Sequence, residues 1–446
     1  MSSRARFRGG LGAAVAAALL CGLVLVWLPS DPTPGAPPPA SPGQGRPLGA
    51  VPPPTPAQSR ADAVTTLLRV RADALLRRDE AAFLATIDPA ADPDFAVRQR
   101  ALFAHLGGVP LDAWEYHLAP DDALDTSAIQ RGGADELWAP AVELRYALRG
   151  ADLVPTGRAM GYLFARTGGN WYLRSDTALD GLGRHTWRGP WDFGPCQVTT
   201  TGNGIVLAHP GSERLVERLA RELDSSVAAV SKLWGTDWSQ RVALLVPDTP
   251  EEMRALVGAG FPVESVVAVA VADRVDSARR AVAGQRVVLS PTSAKSLSAA
   301  SLRVVLRHEI LHVAARAETV DGSPMWLLEG FADYVGYRES GITLRQGAPD
   351  LADRVRRGDL PRELPQDQDF RSTGRDLDLV YQKSWSVARF IAQRFGEDRL
   401  VALYRRLAGA GPMSAAETDE LLRAAIGLDR AGLVQSWRQY LHDTLG

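Results

Sequence analysis

The segment His308-Glu309-Ile310-Leu311-His312 constrains this chain more than any other part of its sequence. It lies in an apolar pattern with helical spacing, which predicts a helix from Ala294 to Arg316. Residues four apart lie on one face of a helix with Cβ atoms about 5–6 Å apart, so His308 and His312 can direct both imidazoles at one ion. Glu309 lies beside them, where its carboxylate would reach a water molecule rather than the ion. The segment therefore predicts a metal site on a buried helix.

A second segment, Trp326 to Tyr334, supplies the carboxylates that such a site needs. Ser323-Pro324 is typical of a helix start, with serine as the cap and proline at the first position. Glu329 and Asp333 would then share one face of the following helix. A catalytic zinc site has three protein ligands and one open position, and Glu329 would complete the set that the two histidines begin. We expect Asp333 to accept the outer N–H of His308.

Together the two segments resemble the gluzincin zinc peptidases, the thermolysin-like superfamily, and within it the bacterial peptidase MA group. The resemblance covers residues 198–446 and implies an α/β lobe, a helical C-terminal lobe and a Zn²⁺-containing cleft between them. It implies His308, His312 and Glu329 as zinc ligands and Glu309 as the general base. The gap between His312 and Glu329 is slightly shorter than in the best-known members, so the connecting loop must be tight, and Asp321-Gly322 supplies turn residues for it.

The same resemblance implies a tyrosine in the helical lobe that stabilises an oxyanion, and Tyr381 looks like the comparable position. Packing in the core or at the rim is the alternative for this side chain. In the expected mechanism, zinc lowers the pKa of its water and polarises a carbonyl. Glu309 carries the proton to the leaving amine, and Tyr381 donates a hydrogen bond to the oxyanion. The expected substrate is a peptide or protein, and the alternative is a non-catalytic scaffold or a non-peptide amidase that retains the zinc site.

The N-terminus carries a candidate membrane segment. Arg4, Arg6 and Arg8 precede an uncharged run from Leu11 to Leu28, which is long enough to cross most of the roughly 30 Å hydrocarbon core. Basic residues ahead of such a run favour a cytoplasmic N-terminus. We expect residues 1–28 to be an uncleaved single-pass anchor in the cell membrane, and a cleaved signal peptide of a secreted protein is the alternative. Both interpretations place the rest of the chain outside the cytoplasm.

Two further regions separate this segment from the metal motif. Residues 29–57 are rich in proline, which predicts an extended, semi-rigid linker. Residues 58–185 begin with helical patterns and continue with four strand-like runs, the last two joined by the turn Thr167-Gly168-Gly169-Asn170. This order predicts an α+β domain with helices on one face of an antiparallel sheet. It resembles the nuclear transport factor 2-like domains, and its expected role is structural or docking.

Residues 198 onward alternate strands with helices and predict an α/β lobe ahead of the motif helix. The last of these strands, Gln285 to Pro291, ends in proline. We expect it to be an edge strand beside the cleft, where an extended peptide could pair with it.

Composition narrows the possible functions. The net charge of −2 gives no reason to expect a nucleic acid partner. The two cysteines, Cys21 and Cys196, lie far apart, so a disulfide framework is not expected. With so few thiols, a metal site in this chain must use histidine and carboxylate ligands.

Overall fold

A computed structural model describes residues 56–446 apart from residues 259, 264 and 265. The expected membrane anchor at residues 1–28 and nearly all of the linker at residues 29–57 lie outside the described residues. None of the helices within the described part of the chain is long and apolar enough to cross a membrane. The fold is of the mixed α+β class and divides into two compact units. As described, the first unit holds residues 56–149 and 154–196, and the second holds residues 150–153 and 197–446.

The first unit begins with three helices and continues as an antiparallel sheet. The helices are α1 (Pro56–Leu76), α2 (Glu80–Leu84) and α3 (Pro93–His105). The strands are β1 (Leu111–Leu124), β2 (Glu136–Leu148), β3 (Thr156–Met160), β4 (Leu163–Thr167) and β5 (Asn170–Ser175). Their order is β1-β2-β4-β5, and β3 also pairs with β2. Gly168 and Gly169 have φ values of 58° and 82° in the turn between β4 and β5, as a tight hairpin turn requires.

A single strand expected over Arg158 to Ala165 is interrupted in the structure, where β3 and β4 are separate strands. The interruption falls at Gly161, whose backbone N–H donates to the Thr186 hydroxyl at 3.1 Å. A Cβ atom on Gly161 would lie 2.3 Å from the Arg184 carbonyl oxygen. The close approach of the segment at residues 184–186, which is distant in sequence, therefore ends the strand.

The interior of the first unit contains a group of charged side chains. Asp176 is almost fully buried and receives hydrogen bonds from Arg188 at 2.7 Å and Gln99 at 3.2 Å. Asp192 lies 3.3 Å from the same Arg188 guanidinium, and burial raises the pKa of Asp192 to about 6 although Arg188 opposes the rise. These groups line one small cavity together with Trp114, Trp187 and Trp191, whose rings pack against one another and against Tyr146.

The second unit contains a mixed five-stranded sheet. The five strands of the sheet are β6 (Gln197–Thr201), β7 (Gly204–Ala208), β8 (Val242–Val246), β9 (Ala268–Val271) and β12 (Arg286–Leu289). Two short strands, β10 (Arg274–Asp276) and β11 (Ala281–Ala283), lie between β9 and β12 in the sequence. The sheet order is β6-β7-β8-β12-β9, while β10 and β11 form a separate hairpin. Strands β7, β8 and β12 are parallel neighbours, and all their residues are buried, as is typical of parallel strands covered on both faces.

The expectation of an edge strand at residues 285–291 is wrong. Strand β12 lies inside the sheet, parallel to β8 on one side and antiparallel to β9 on the other. Its residues Val287, Val288 and Leu289 are fully buried, which agrees with an interior position. Strand β9 forms the edge on this side of the sheet. After β9 the chain passes through the β10–β11 hairpin, and β12 then inserts between β8 and β9.

Helices make up the rest of the second unit. They are α4 (Glu213–Trp234), α5 (Pro250–Val257), α6 (Ser293–Ser296), α7 (Ala299–Ala315), α8 (Met325–Tyr337), α9 (Leu344–Gly347), α10 (Pro349–Arg356), α11 (Gly374–Phe395), α12 (Glu397–Ala410), α13 (Ala415–Ile426) and α14 (Arg430–Leu445). Helix α7 packs against α4, α8 and strand β9, and α8 packs in turn against α11 and α12. One continuous apolar core includes the sheet and these helices.

Candidate metal centre

The motif helix α7 begins later than its sequence pattern predicts. Leu297 adopts an extended conformation between α6 and α7, and Ser298 caps α7 by accepting a hydrogen bond from the Ser301 N–H at 3.0 Å. His308, Glu309 and His312 are all buried in the second half of the helix. Because most of α7 is covered by apolar neighbours, these polar side chains lie in a low-dielectric interior where they need partners.

Helix α8 carries the carboxylates, and its start differs from the expected serine cap. The Ser323 hydroxyl lies 2.6 Å from the Val320 carbonyl oxygen and 2.7 Å from the Ala408 carbonyl oxygen, so its one proton is shared between them, and it does not cap the helix. The Asp367 carboxylate takes the capping role, accepting a hydrogen bond from the Met325 N–H at 2.9 Å. The cap therefore comes from a residue distant in sequence.

Two glycines hold α8 between its neighbouring helices. A Cβ on Gly330 would lie 2.3 Å from the Ser384 carbonyl oxygen of α11, and one on Gly336 would lie 2.8 Å from the Val304 carbonyl oxygen of α7. Real Cβ atoms do not approach backbone this closely. The position of α8, and with it that of Glu329, is therefore set by direct backbone contact on two sides.

Three side chains from α7 and α8 converge on one point. The Nε2 atoms of His308 and His312 are 3.0 Å apart, and Glu329 oxygens lie 3.3 Å from Nε2 of His308 and 3.8 Å from Nε2 of His312. Tetrahedral zinc with bonds of about 2.05 Å would separate its ligand atoms by about 3.3 Å, and the three observed separations bracket that value. Within the described residues, this is the only group of His, Cys, Asp or Glu side chains with the proximity that a metal ion requires.

Asp333 supports one of the two histidines. Its carboxylate lies 2.9 Å from Nδ1 of His308, on the side of the ring away from Glu329. A hydrogen bond from Nδ1–H to this carboxylate leaves Nε2 free of a proton and directed at the other ligand atoms. The structure thus brings together the four side chains that were predicted to form the ligand set and its support.

The imidazoles and carboxylates of the group shift one another's pKa values in opposite directions. Burial alone would lower the pKa of His308, but Asp333 and Glu329 outweigh it and hold that pKa well above its ordinary value. Burial alone would raise the pKa of Glu329, but the two imidazoles hold it at about 2.

Glu329 gives the most direct indication that these residues fit a metal. Its side chain is fully buried, yet in the described part of the chain no well-aligned hydrogen bond reaches either carboxylate oxygen. A buried carboxylate without hydrogen bonds is strongly unfavourable, and a cation placed between it and the two imidazoles would satisfy it. Two imidazoles and one carboxylate also form a donor set that zinc accepts in catalytic sites.

The two predicted catalytic side chains lie on different helices, Glu309 on α7 and Tyr381 on α11. Glu309 follows His308 directly on α7 and is fully buried. Tyr381 lies on α11, the helix that contacts Gly330 of α8 through Ser384. Tyr381 is largely buried, and its ring packs edge-on against Phe370 with centroids 5.5 Å apart. Its role at an oxyanion stays a prediction.

Sequence reasoning missed two hydroxyl groups behind the ligand set. Tyr404 of α12 is buried, and its hydroxyl lies 3.1 Å from the Thr319 hydroxyl. Burial raises the pKa of Tyr404, and the negative charge of Glu329 adds to the rise. An isolated tyrosine in an amphipathic helix carries no sequence signal for such a position.

Comparisons with known proteins add little to this geometry. No protein-family model matches the chain, and no curated protein matches it. Among solved structures, the chain is similar to a two-domain M1 zinc metallopeptidase variant bound to L-arginine, with a TM-score of 0.33 and 13% sequence identity. The match covers 55% of this chain and 51% of that chain, so this chain matches only about half the length of its neighbour. A likeness at this level is too distant to establish a family.

Proposed function

We propose that this chain is a zinc-dependent hydrolase that cleaves peptide bonds. The observation that carries the proposal is the convergence of His308, His312 and Glu329 within 3.8 Å of one another, with Glu309 beside them on the same helix. A site that only stabilises the fold uses four protein ligands, whereas three leave a position for water. A base next to that open position is a feature of hydrolysis rather than of structural metal binding.

Each side chain has a distinct role in the proposed reaction. A bound zinc ion supplies Lewis acidity, lowering the pKa of a water ligand and polarising a carbonyl. Glu309 accepts the proton of the attacking water and delivers it to the leaving amine. Tyr381 donates a hydrogen bond to the developing oxyanion, while Asp333 keeps the His308 ring in one tautomer.

We further propose that residues 198–446 are a gluzincin-like peptidase domain of the peptidase MA group. The two motifs support this, as does the order of elements in the second unit, where a sheet-containing half precedes α7 and helices follow it. Residues 58–185 are proposed as a nuclear transport factor 2-like domain, supported by helices that precede an antiparallel sheet. The proposed substrate is a peptide or protein, and the net charge of −2 gives no reason to expect a nucleic acid partner.

The proposed location is the outer side of the cell membrane, with residues 1–28 as the single-pass anchor and residues 29–57 as a spacer. The apolar run after Arg4, Arg6 and Arg8 supports the anchor. A secreted form, released by cleavage of the same run, is the alternative. An alkaline carbonate wash of the membranes distinguishes the two, because an anchored form stays in the pellet and a cleaved form is released.

The test of the function combines metal analysis with a peptide digest. The full chain is purified without added metal, its zinc content is measured by elemental analysis, and it is incubated with a peptide library read by mass spectrometry. Wild-type protein should contain one zinc per chain and cleave peptides. The Glu309→Gln variant should contain the same zinc and cleave nothing, and the His308→Ala variant should lose the metal.

Two results would count against the proposal. Full activity of the Glu309→Gln variant would show that Glu309 is not the general base. Stoichiometric zinc with no cleavage of any peptide by the wild type would indicate a scaffold or an amidase with a non-peptide substrate.

A further inference from the structure

The segment that joins the two ligand-bearing helices has its own anchoring contacts. This segment, residues 316–324, is called the connector. It contains none of the predicted ligands, but it fixes how α8 is placed after α7, and so how Glu329 meets the two histidines. Because it is short, a shift of the connector moves α8 relative to α7. Its contacts therefore bear on the geometry of the metal centre.

The connector is bound along one side to the last turns of α12. The Val320 N–H donates to the Ala408 carbonyl oxygen at 2.9 Å, and the Ser323 hydroxyl donates to the same oxygen at 2.7 Å. Carbonyl groups in the last turn of a helix have no partner within the helix, so the connector satisfies an acceptor that α12 leaves open. The Arg405 guanidinium adds an ion pair to Glu318 at 3.1 Å.

The tightest part of the connector also faces the end of α12. Gly322 has a φ of +83°, and a Cβ at this position would lie 2.5 Å from the ring of Pro412. Both the left-handed backbone and the lack of space favour glycine here. The turn expected at Asp321-Gly322 is thus shaped by α12 as well as by its own sequence.

One hydrogen-bonded chain links the connector to the interior behind the metal centre. The Thr319 hydroxyl donates to the Ala315 carbonyl oxygen at the end of α7, 3.0 Å away. The Tyr404 hydroxyl lies 3.1 Å from the Thr319 hydroxyl, within hydrogen-bonding distance, and can donate to it. The Tyr404 ring packs against Phe331 of α8 with centroids 5.1 Å apart. Tyr404 thus contacts the helix that carries Glu329 directly and is linked to the end of the His-bearing helix through Thr319.

We propose that Thr319 and Tyr404 are positioning residues for the metal centre: α12 clamps the connector through them and holds Glu329 in place against His308 and His312 before the metal binds. The proposal rests on the proposed function only in requiring that the three ligands bind zinc. According to this proposal, contacts made by α12 strengthen zinc binding although α12 supplies no ligand.

The experiment measures the zinc dissociation constant of the full chain by competition with a chromophoric chelator. Tyr404→Phe and Thr319→Val each remove one hydroxyl of the pair and keep the bulk of the side chain. Each should weaken zinc binding about 10–100-fold, as the loss of residues that orient metal ligands does. The double variant should bind zinc about as tightly as the weaker-binding single variant, because both changes break the same hydrogen bond. Thr319→Ser keeps the hydroxyl and should restore wild-type affinity.

A matched control separates positioning from general stability. The Ser386 hydroxyl accepts a buried hydrogen bond from the Trp437 indole N–H at 3.0 Å, in the same unit but between α11 and α14. Ser386→Ala should lower the Tm of the zinc-free protein and leave the zinc dissociation constant unchanged. If Thr319→Val and Tyr404→Phe behave like this control, the positioning role is wrong.

The outcome is separable from that of the proposed function. If the wild-type chain binds zinc but cleaves no peptide, the proposed peptidase function is wrong, and the positioning role of Thr319 and Tyr404 can still be tested through zinc affinity. A wild-type chain that binds no zinc overturns both.

Discussion

The carboxylate of Asp333 lies 2.9 Å from Nδ1 of His308, one helical turn beyond the ligand Glu329. In the proposed metal centre, a single helix therefore supplies both a ligand and the group that would orient another ligand. Residues four apart share a helix face, so the same backbone geometry fixes both distances. The two carboxylates act on opposite nitrogens of one imidazole, because Glu329 faces Nε2 and Asp333 faces Nδ1.

Removal of this support should weaken metal binding without removing a ligand. Asp333→Ala should raise the zinc dissociation constant about 10–100-fold, and Asp333→Asn should have a smaller effect because its amide oxygen still accepts from Nδ1–H. Chelator competition measures both. Asp429→Ala removes an N-terminal cap of α14 and is the control, with unchanged zinc affinity. An Asp333→Ala variant that binds zinc as tightly as wild type would contradict the proposed contact.

Loss of the Tyr381 hydroxyl should slow turnover and leave metal binding intact. Tyr381→Phe keeps the packing against Phe370, and the loss of one oxyanion donor costs about 10²–10³-fold in kcat. Steady-state kinetics on a peptide found in the library digest, with zinc content measured in parallel, checks this. Tyr334→Phe removes a hydroxyl that donates to Glu397 at 2.6 Å and should leave kcat unchanged. Equal kcat values for the wild type and Tyr381→Phe would show that Tyr381 serves only in packing.

Helix α8 should not tolerate a methyl group at Gly330. Gly330→Ala forces the new Cβ against the Ser384 backbone, and overpacking of this kind costs about 1–3 kcal/mol of unfolding free energy. Gly409→Ala in α12 is the matched control, because its Cβ would have no neighbour closer than 3.7 Å. Since alanine is the better helix former, the control should be neutral or more stable by up to about 1 kcal/mol. Urea unfolding of the zinc-free proteins measures both, and equal effects would show that α8 and α11 are not in close backbone contact.

The first unit should lose stability as the pH rises from about 4 to about 6. Burial raises the pKa of Asp192 from 3.8 to about 6 in the folded chain, so the folded state binds a proton more tightly than the unfolded state. The stabilising contribution is complete below the unfolded pKa and is lost as the pH passes through the folded pKa.

Urea titrations at several pH values test this. At each urea concentration a hydrogen-exchange pulse at one fixed labelling pH reports which peptides of the first unit are unfolded. Asp192→Asn should flatten the pH dependence, since the amide does not titrate. The reverse slope in the wild-type protein, with stability rising from pH 4 to 6, would refute the assignment.

The parts of the metal centre that sequence could predict are those governed by local geometry. The spacing of His308 to His312, and of Glu329 to Asp333, translates directly into a shared helix face, and the structure brings these four side chains together. The roles of Ser323 and Asp367 depend on partners far along the chain. Ser323 has the residue type of a cap, but the Ala408 carbonyl competes for it across the fold and leaves the capping of α8 to Asp367.

The same distinction explains the sheet of the second unit. The apolar run at Arg286–Leu289 predicts a strand, and a strand is present. Its place between β8 and β9 is decided by pairing with strands distant in sequence, which no pattern within the run encodes. In the first unit, the break at Gly161 has the same origin, because the segment that causes it lies more than twenty residues further along the chain.

Helix α8 is fixed by backbone on both sides, through Gly330 against α11 and Gly336 against α7. Side chains can change rotamer within a folded core, but contacts between main chains separate only when whole helices part. Release of the metal on heating should therefore coincide with unfolding of the three helices as one cooperative step, without an earlier loosening of the ligands. A zinc-release curve monitored with a fluorescent indicator and a helix-unfolding curve monitored by circular dichroism should superimpose.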